Sequence, residues 1–334
     1  SELGAVVTLV SIGTSQEGFD GEWRMADIFT IKGNLINRLE IFDEADLNTA
    51  LARFDELHPQ APRLENVASQ VAERFRAFFA ARDWDALAEL LADDYSHDDR
   101  RRVVGAGVRD GRDAQIADLR AIADLWITNV KMTVIATRGE RLVLRSLSFS
   151  NRDQGSEAFL SDVLSVAEIN ADGRYLANVT FELDDLDAAF EELDARYIAG
   201  EAATCARTWS VTARTCAVFN QGKLPATTPD SVFVDHRPVL TVDAVDLPAY
   251  LRVMWDLTPD IRVDIEAVHR LSELGAVVTH AVNETSPEGF NAEWRGILIY
   301  TLEADMVKRC EVFDESDLDA ALARFDELEE QAAN

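Results

Sequence analysis

The side chains best suited to chemistry in this chain are a few acids and histidines in recurring patterns. Tyr95-Ser96-His97-Asp98-Asp99-Arg100 and Val234-Asp235-His236-Arg237 each set a histidine beside an aspartate, with Asp99 and Asp235 in equivalent positions. A spacing of two puts His97 and Asp99 on one strand face, as an oriented general base requires, whereas adjacent Asp235 and His236 face oppositely. The competing reading is a salt-bridged strand edge. Glu293 with Arg295, and Arg309 with Glu311, share strand faces, and the quartet occurs earlier as Glu22, Arg24, Arg38 and Glu40. Such charges form either the polar floor of a ligand cavity or an ion-pair ladder on a sheet face. In an intervening stretch the same positions fall at or near Ser161, Val163, Ala177 and Val179, so the four charges are lost together, which implies that they interact. His269 and His280 stand near the end without counterparts, about Ala136 and Leu9 occupying their places elsewhere. Asp235, His269 and Glu293 are therefore the candidates for acid-base work. His236, His280, Arg295, Arg309 and Glu311, with Tyr95 and Asp99 earlier, are the candidates for ligand contact. The five histidines show no His-x-His or His-Glu-x-x-His spacing, so no metal is expected, and no phosphate-binding glycine loop or other motif implies a cofactor.

The elements that carry these residues are repeated. SELGAVVT at 1–8 recurs at 272–279, RLEIFDEADL at 38–47 as RCEVFDESDL at 309–318, and ALARFDEL at 50–57 again at 321–328. About 33 of about 57 aligned positions are identical without a gap. A degenerate third copy ends in FELDDLDAAFEELD at 181–194. Ahead of it, NVASQVAERFRAFFAAR predicts a helix and Asp83 caps a second, WDALAELLAD. An extended stretch around DDRRRVV, a helix AQIADLRAIADL and four period-2 strands follow, the last two joined by an Asn-Ala-Asp-Gly turn. The final copy repeats the order, with a helix at about 203–219, a strand SVFVDHRPVL, a helix DLPAYLRVMWDL and four strands, and each copy closes with a helix behind an acidic cap. Two complete modules are expected at 64–199 and 200–330. Residues 1–60 hold only the strands and closing helix of another, and HPQAPRLEN reads as the linker.

Composition bounds the partners. At roughly 150 residues per domain, 334 residues exceed one ordinary domain. Sixty-one acidic against 32 basic residues give a formal charge of -29, a field that repels phosphate backbones and anionic lipid surfaces, so neither nucleic acid nor membrane is an expected partner. No apolar run approaches the roughly 18 residues of a membrane helix. Three cysteines without a short spacing point to a reducing, cytoplasmic setting.

ARDWDALAELLADDY at 81–95, GRDAQI at 111–116 and the meander with its Asn-Ala-Asp-Gly hairpin resemble the SnoaL-like branch of the NTF2-like superfamily. The resemblance implies an α+β fold of tandem cones, each a curved antiparallel sheet packed on helices. It also implies a pseudo-dimer of the two modules. Residues 1–60 would leave one wide apolar sheet face open, so they read as part of a truncated longer tandem array or, alternatively, as an element that docks on or swaps with another chain. Tandem modules similar to these occur at the ends of large bacterial signalling proteins. The family includes polyketide cyclases, ketosteroid isomerases and epoxide hydrolases alongside non-catalytic binding modules, so the fold does not choose between them. Two functions are expected: a non-catalytic small-ligand-binding or assembly module, its apolar cone open in the last module, or an isomerase, cyclase or hydrolase acting there on a hydrophobic molecule by Asp/His acid-base catalysis.

Overall fold

The computed structural model describes residues 2–14, 20–32, 35–57, 64–102, 107–124, 127–151, 161–237, 245–258, 260–285 and 291–333. These form two compact units, 1–63 and 64–334. Most of the expected linker at 58–66 lies outside the described residues.

The first unit is a three-stranded antiparallel sheet, β1 (Glu2–Thr14), β2 (Asp20–Lys32) and β3 (Leu35–Asp43), with one helix, α1 (Leu47–Leu57). The second begins with α2 (Val67–Ala81), α3 (Trp84–Glu89), β4 (Leu91–Asp99), β5 (Gly107–Asp110), α4 (Arg112–Asp124), β6 (Ile127–Arg138), β7 (Leu142–Asn151), β8 (Ser161–Ile169), β9 (Tyr175–Phe181) and α5 (Leu186–Ala199). It continues with α6 (Ala206–Asn220), β10 (Thr227–Asp235), β11 (Val245–Asp246), α7 (Leu247–Leu257), β12 (Arg262–Leu271), β13 (Gly275–Thr285), β14 (Asn291–Glu303), β15 (Met306–Asp314) and α8 (Leu318–Ala333). Two six-stranded sheets result, β5-β4-β9-β8-β7-β6 and β11-β10-β15-β14-β13-β12, each an antiparallel meander whose last strand pairs in parallel with the module's first long strand.

Local chemistry fixes the boundaries. Asn66 caps α2 in a reciprocal box with Ser69, at 2.8 and 2.9 Å, and its side-chain amide donates to Gly139 O and Leu142 O on the β6–β7 turn. Asp83 accepts from Ala86 N at 3.1 Å, as the sequence predicts, but α3 stops at Glu89 instead of running on to Asp93. The cause is tertiary: Tyr175 N donates to Leu90 O at 2.8 Å and Leu91 pairs with Tyr175, so the chain turns extended earlier than its helical pattern suggests. Between β8 and β9, Asn170 accepts from Asp172 N and Arg174 N, and Gly173 takes φ 72°, a conformation that favours glycine.

The repeat holds in three dimensions. In the second unit Val277, Ile297, Ile299, Phe313, Ala321, Phe325 and Leu328 pack one sheet face against α8. Their counterparts, Val6, Ala26, Ile28, Phe42, Ala50, Phe54 and Leu57, form the same cluster beneath α1. Gly275 and Gly4 occupy one position, where a Cβ would run into the carbonyl oxygens of Tyr300 and Phe29 respectively. On the opposite face the copies diverge: Cys310 and Val312 are buried at 5% and 4% exposed, while Leu39 and Ile41 are 50% and 59% exposed.

Within the second unit the two modules share a core. Ala189, Leu193 and Tyr197 of α5 cover Leu144, Leu164 and Val166 of the first sheet and continue into Trp209 and Cys216 of α6. Tyr197 and Trp209 meet edge to face at 5.4 Å, and the Trp209 indole donates to Asp194 at 3.0 Å. Arg138, at the end of β6, donates to Asp194 at 2.7 Å and to Ile265 O on β12 at 3.1 Å. The modules are thus joined through α5, α6 and the edge strands β6 and β12.

Candidate functional site

A cavity of about 280 Å3 opens in the first complete module, between α2, α4 and the inner face of its sheet. Strand alternation builds it. Along β7, Leu142 and Leu144 join the cluster under α5, while Val143 joins the cluster under α2 and α4. Arg145, Leu147 and Phe149, at alternate positions from Val143, line the cavity. Opposite them, α2 contributes Ala72, Phe75 and Phe79, α4 contributes Leu119 and Ile122, and β6 contributes Val130 and Met132. The walls are therefore apolar, with aromatic rings on the helical side.

Across this floor runs one polar row. Arg145 on β7 pairs with Ser165 on β8, Ser165 with Thr180 on β9, and Asn178 on β9 with His97 on β4. The side chains are linked in that order. Arg145 donates to Tyr175 Oη at 2.9 Å and, at 3.4 Å, to Ser165 Oγ. Ser165 donates to Asn178 Oδ1 at 2.6 Å, Asn178 donates to Thr180 Oγ1 at 3.2 Å, and Thr180 Oγ1 lies 2.9 Å from His97 Nε2. Burial pushes the His97 pKa below the usual histidine value, which keeps the imidazole neutral at neutral pH. Burial also raises the pKa values of Tyr95 and Tyr175, so both remain phenols able to donate, with the Arg145 charge opposing the rise in each.

The second module has an apolar row in the same place. The ladder pairs Val278 with Leu298, Leu298 with Val312, and Phe233 with Cys310, so Val278, Leu298, Cys310, Val312 and Phe233 stand where Arg145, Ser165, Asn178, Thr180 and His97 stand in the first. Its cavity is about 70 Å3, because the ring of Tyr250 stacks on Phe233 at 3.6 Å and Trp255 stacks on Phe219 at 5.1 Å. The expectation that the open cone lies in the last module is corrected accordingly: the larger cavity is in the first. Cys216 and Cys310 line the smaller one as thiols, burial pushing the Cys216 pKa to about 12 and that of Cys310 higher still.

The ladder corrects one correspondence as well. With Ser165 matched to Leu298, three residues earlier Asp162 rather than Val163 corresponds to Arg295, so loss of charge in the middle copy is incomplete.

Of the acid-base candidates, none lines either cavity. Asp235 is clamped by Arg237, through the backbone N at 3.0 Å and two guanidinium contacts at 2.9 and 2.6 Å, and Asp99 is held by Arg101 in the same way. Burial pulls the Asp99 pKa up, but the Arg101 hydrogen bonds outweigh it and the net direction is down. His269 is bonded to Thr279 Oγ1 at 2.6 Å, and half-exposed Glu293 pairs with Arg295 at 2.5 Å. Arg295 also forks onto buried Glu266 at 2.8 and 2.9 Å, a partner the sequence did not reveal.

The ligand-contact candidates divide. Tyr95 lines the first cavity and His280 the second. His236, Arg309 and Glu311 form a separate ion-pair cluster with Arg324 of α8, at 2.7, 3.0 and 3.2 Å from the fully buried Glu311 carboxylate. The half copy repeats it: Glu40 is 3.5 Å from Arg38 and 3.2 Å from Arg53. The quartet is therefore two ion-pair clusters, not one cavity floor. Among the described residues, one group of carboxylates has metal-ligand spacing, Glu182, Asp184 and Asp185, and Arg102 already sits among them, 2.9 Å from Glu182, 2.6 Å from Asp184 and 3.8 Å from Asp185.

No family model and no curated protein matches the chain. Its neighbours among solved structures include SnoaL-like and NTF2-like proteins. A SnoaL-like polyketide cyclase from Jannaschia sp. is 16% identical, covering 32% of this chain and 84% of its own with a TM-score of 0.28. An isomerase-class structure from Bacillus subtilis is 15% identical over 37% of this chain and 93% of its own, with a TM-score of 0.30. A Mycobacterium tuberculosis protein solved with estradiol-17beta-hemisuccinate is 16% identical over 36% and 97%, with a TM-score of 0.30. No helix among the described residues is long and apolar enough to cross a membrane.

Proposed function

We propose that the first complete module is a receptor for an apolar small molecule, and that the second module is a filled copy that braces it, within a larger signalling protein of the kind the resemblance implies. The observation that carries this reading is the contrast between two cones of one design. One holds about 280 Å3 over a linked polar row, and the other holds about 70 Å3 over an apolar row occupied by the chain's own rings. Pockets for small molecules are concave and mostly apolar, with a few convergent polar groups, and the first cone has that composition. The test is titration with an environment-sensitive apolar dye. The wild type is expected to bind one dye per chain, and Leu147→Trp, which fills the cavity, is expected to lose binding while its melting temperature stays within a few degrees. Equal binding by both proteins would defeat the reading.

A second reading is favoured by His97. A neutral imidazole at the edge of an apolar cavity, held by Thr180 at 2.9 Å, has the form of a general base, and would make the module an isomerase, cyclase or hydrolase. Turnover of a hydrophobic ketone or epoxide that His97→Ala abolishes would establish it. Absence of turnover across such substrates, with dye binding intact, leaves the receptor.

A further inference from the structure

Arg145 is handled differently from the other deeply buried arginine. Arg138 and Arg145 are the most deeply buried arginines among the described residues, at 1% and 6% exposed. Arg138 has its counter-ion, Asp194, at 2.7 Å. Arg145 has none among the described residues: it donates to the Tyr175 hydroxyl, Ser165 Oγ and, at 3.6 Å, the Met132 sulfur, and it lies 5.5 Å from the centroid of the Tyr175 ring, all uncharged groups. Its Nη2 donates to no group among the described residues. Glu73, which acts on Tyr175 from α2, is held by Arg76 at 2.8 Å. A guanidinium out of water without a counter-charge is costly, and the sister module avoids the cost by having Val278 at this position. Retention of the charge here therefore needs a compensating anion, and the cavity that Arg145 lines is where one can enter.

Tyr95 adds a second open donor. It is 4% exposed and lines the same cavity, its hydroxyl has no hydrogen bond among the described residues, and it feels the Arg145 charge. The other cationic groups at the cavity are committed, Arg101 to Asp99 and Arg76 to Glu73, so a single net charge is left to balance.

Resting on the receptor reading, we infer that the ligand is an apolar monocarboxylate. Its carboxylate pairs with Arg145 and accepts from Tyr95, while its skeleton lies against Phe75, Ile122, Met132 and Leu147. The open Nη2 carries the guanidinium's charge, and a charge-assisted bond from it to a carboxylate oxygen is stronger than any bond that an amide or alcohol could accept there. A cavity of about 150 Å3 admits benzene, so 280 Å3 accommodates a two-ring skeleton.

Calorimetric titration of the full chain with matched pairs tests this: 2-naphthylacetate against 2-naphthylacetamide, and 4-phenylbutanoate against its amide. The acids are expected to bind about 10- to 100-fold more tightly than the amides, the range for a hydrogen bond to a charged group. Arg145→Met should remove that preference while keeping or raising the ligand-free melting temperature, and Tyr95→Phe should reduce the preference in part without relying on the first variant. Equal affinity for acid and amide in the wild type overturns the carboxylate class and leaves the receptor reading standing. An acid preference that survives Arg145→Met overturns the role of Arg145, as does a fall in melting temperature that marks Arg145 as a brace. Failure of the wild type to bind any member of either pair overturns both readings.

Discussion

Arg145 and Ser165 stand directly opposite one another on β7 and β8, and their counterparts Val278 and Leu298 stand opposite one another on β13 and β14. One ladder position is thus polar in the first cone and apolar in the second. Replacing Arg145 by Val together with Ser165 by Leu writes the second module's row into the first. The double variant is expected to be more stable by about 1 kcal/mol in urea unfolding, because removal of an unpaired buried charge outweighs the hydrogen bonds that Tyr175 and Asn178 lose. The same change should abolish discrimination between acid and amide ligands. A loss of stability would show that the polar row holds the sheet together.

His280 sets part of the acid limb of stability. It is 2% exposed, meets Trp294 edge to face at 5.5 Å, and its Nδ1 has no hydrogen-bond partner among the described residues. Burial, with the Arg237 charge adding to it, pushes its pKa from 6.5 to about 3. Between those values the unfolded chain binds the proton and the folded chain does not, so stability falls as pH drops from about 6.5 toward 3. The contribution lost is on the order of 5 kcal/mol, since each tenfold difference in proton affinity between the folded and unfolded chain is worth about 1.4 kcal/mol. His280→Leu, the residue type that Leu9 supplies in the half copy, should make the fall across that window shallower when urea unfolding is followed at several pH values, the rest coming from groups such as His97 and His269.

Glu311 should be worth more than an exposed ion pair. Its carboxylate is fully buried among Arg309, Arg324 and His236. Burial pushes its pKa up, yet hydrogen bonds from Arg324 and His236 outweigh that and the net direction is down, so its stabilisation is present above the ordinary carboxylate range and lost on acidification below it. Glu311→Gln leaves the Arg309 and Arg324 guanidinium groups and the His236 ring without their shared partner and is expected to cost about 3–5 kcal/mol by urea unfolding at neutral pH. A cost near that of an exposed pair would contradict the assignment.

Phe325 fills the space between α8 and β14 and is 0% exposed. Phe325→Ala should cost about 3–5 kcal/mol through lost transfer energy and the cavity left behind, read as a lowered urea midpoint with unchanged slope.

Much of this architecture was legible because the repeat is read directly from identical residues. SELGAVVT and ALARFDEL fix the register of whole strands and helices, and Asp83 and the Asn-Ala-Asp-Gly turn mark their boundaries by local hydrogen bonds. The end of α3 was not legible, because pairing of Leu91 with Tyr175 is a long-range event that overrides helical periodicity. The site was obscured for two reasons. Both faces of β7 are covered, so alternation does not distinguish the side that carries Arg145. The charges that attract attention in the repeats, those around Glu311 and Arg295, serve ion-pair clusters away from the cavities. The signal that finds the polar row is the reverse comparison: Arg145, Ser165, Asn178 and Thr180 are polar where Val278, Leu298, Cys310 and Val312 are apolar, and that requires the ladder register of β8 to the residue.

The most direct measurement is a crystal structure of the full chain grown with 2-naphthylacetate. One ligand per chain is predicted in the first cone, its carboxylate within hydrogen-bond distance of Arg145 and its rings between Phe75 and Met132. Density for the ligand among Tyr250, His280 and Trp294 of the second cone, with the first left empty, would contradict the account.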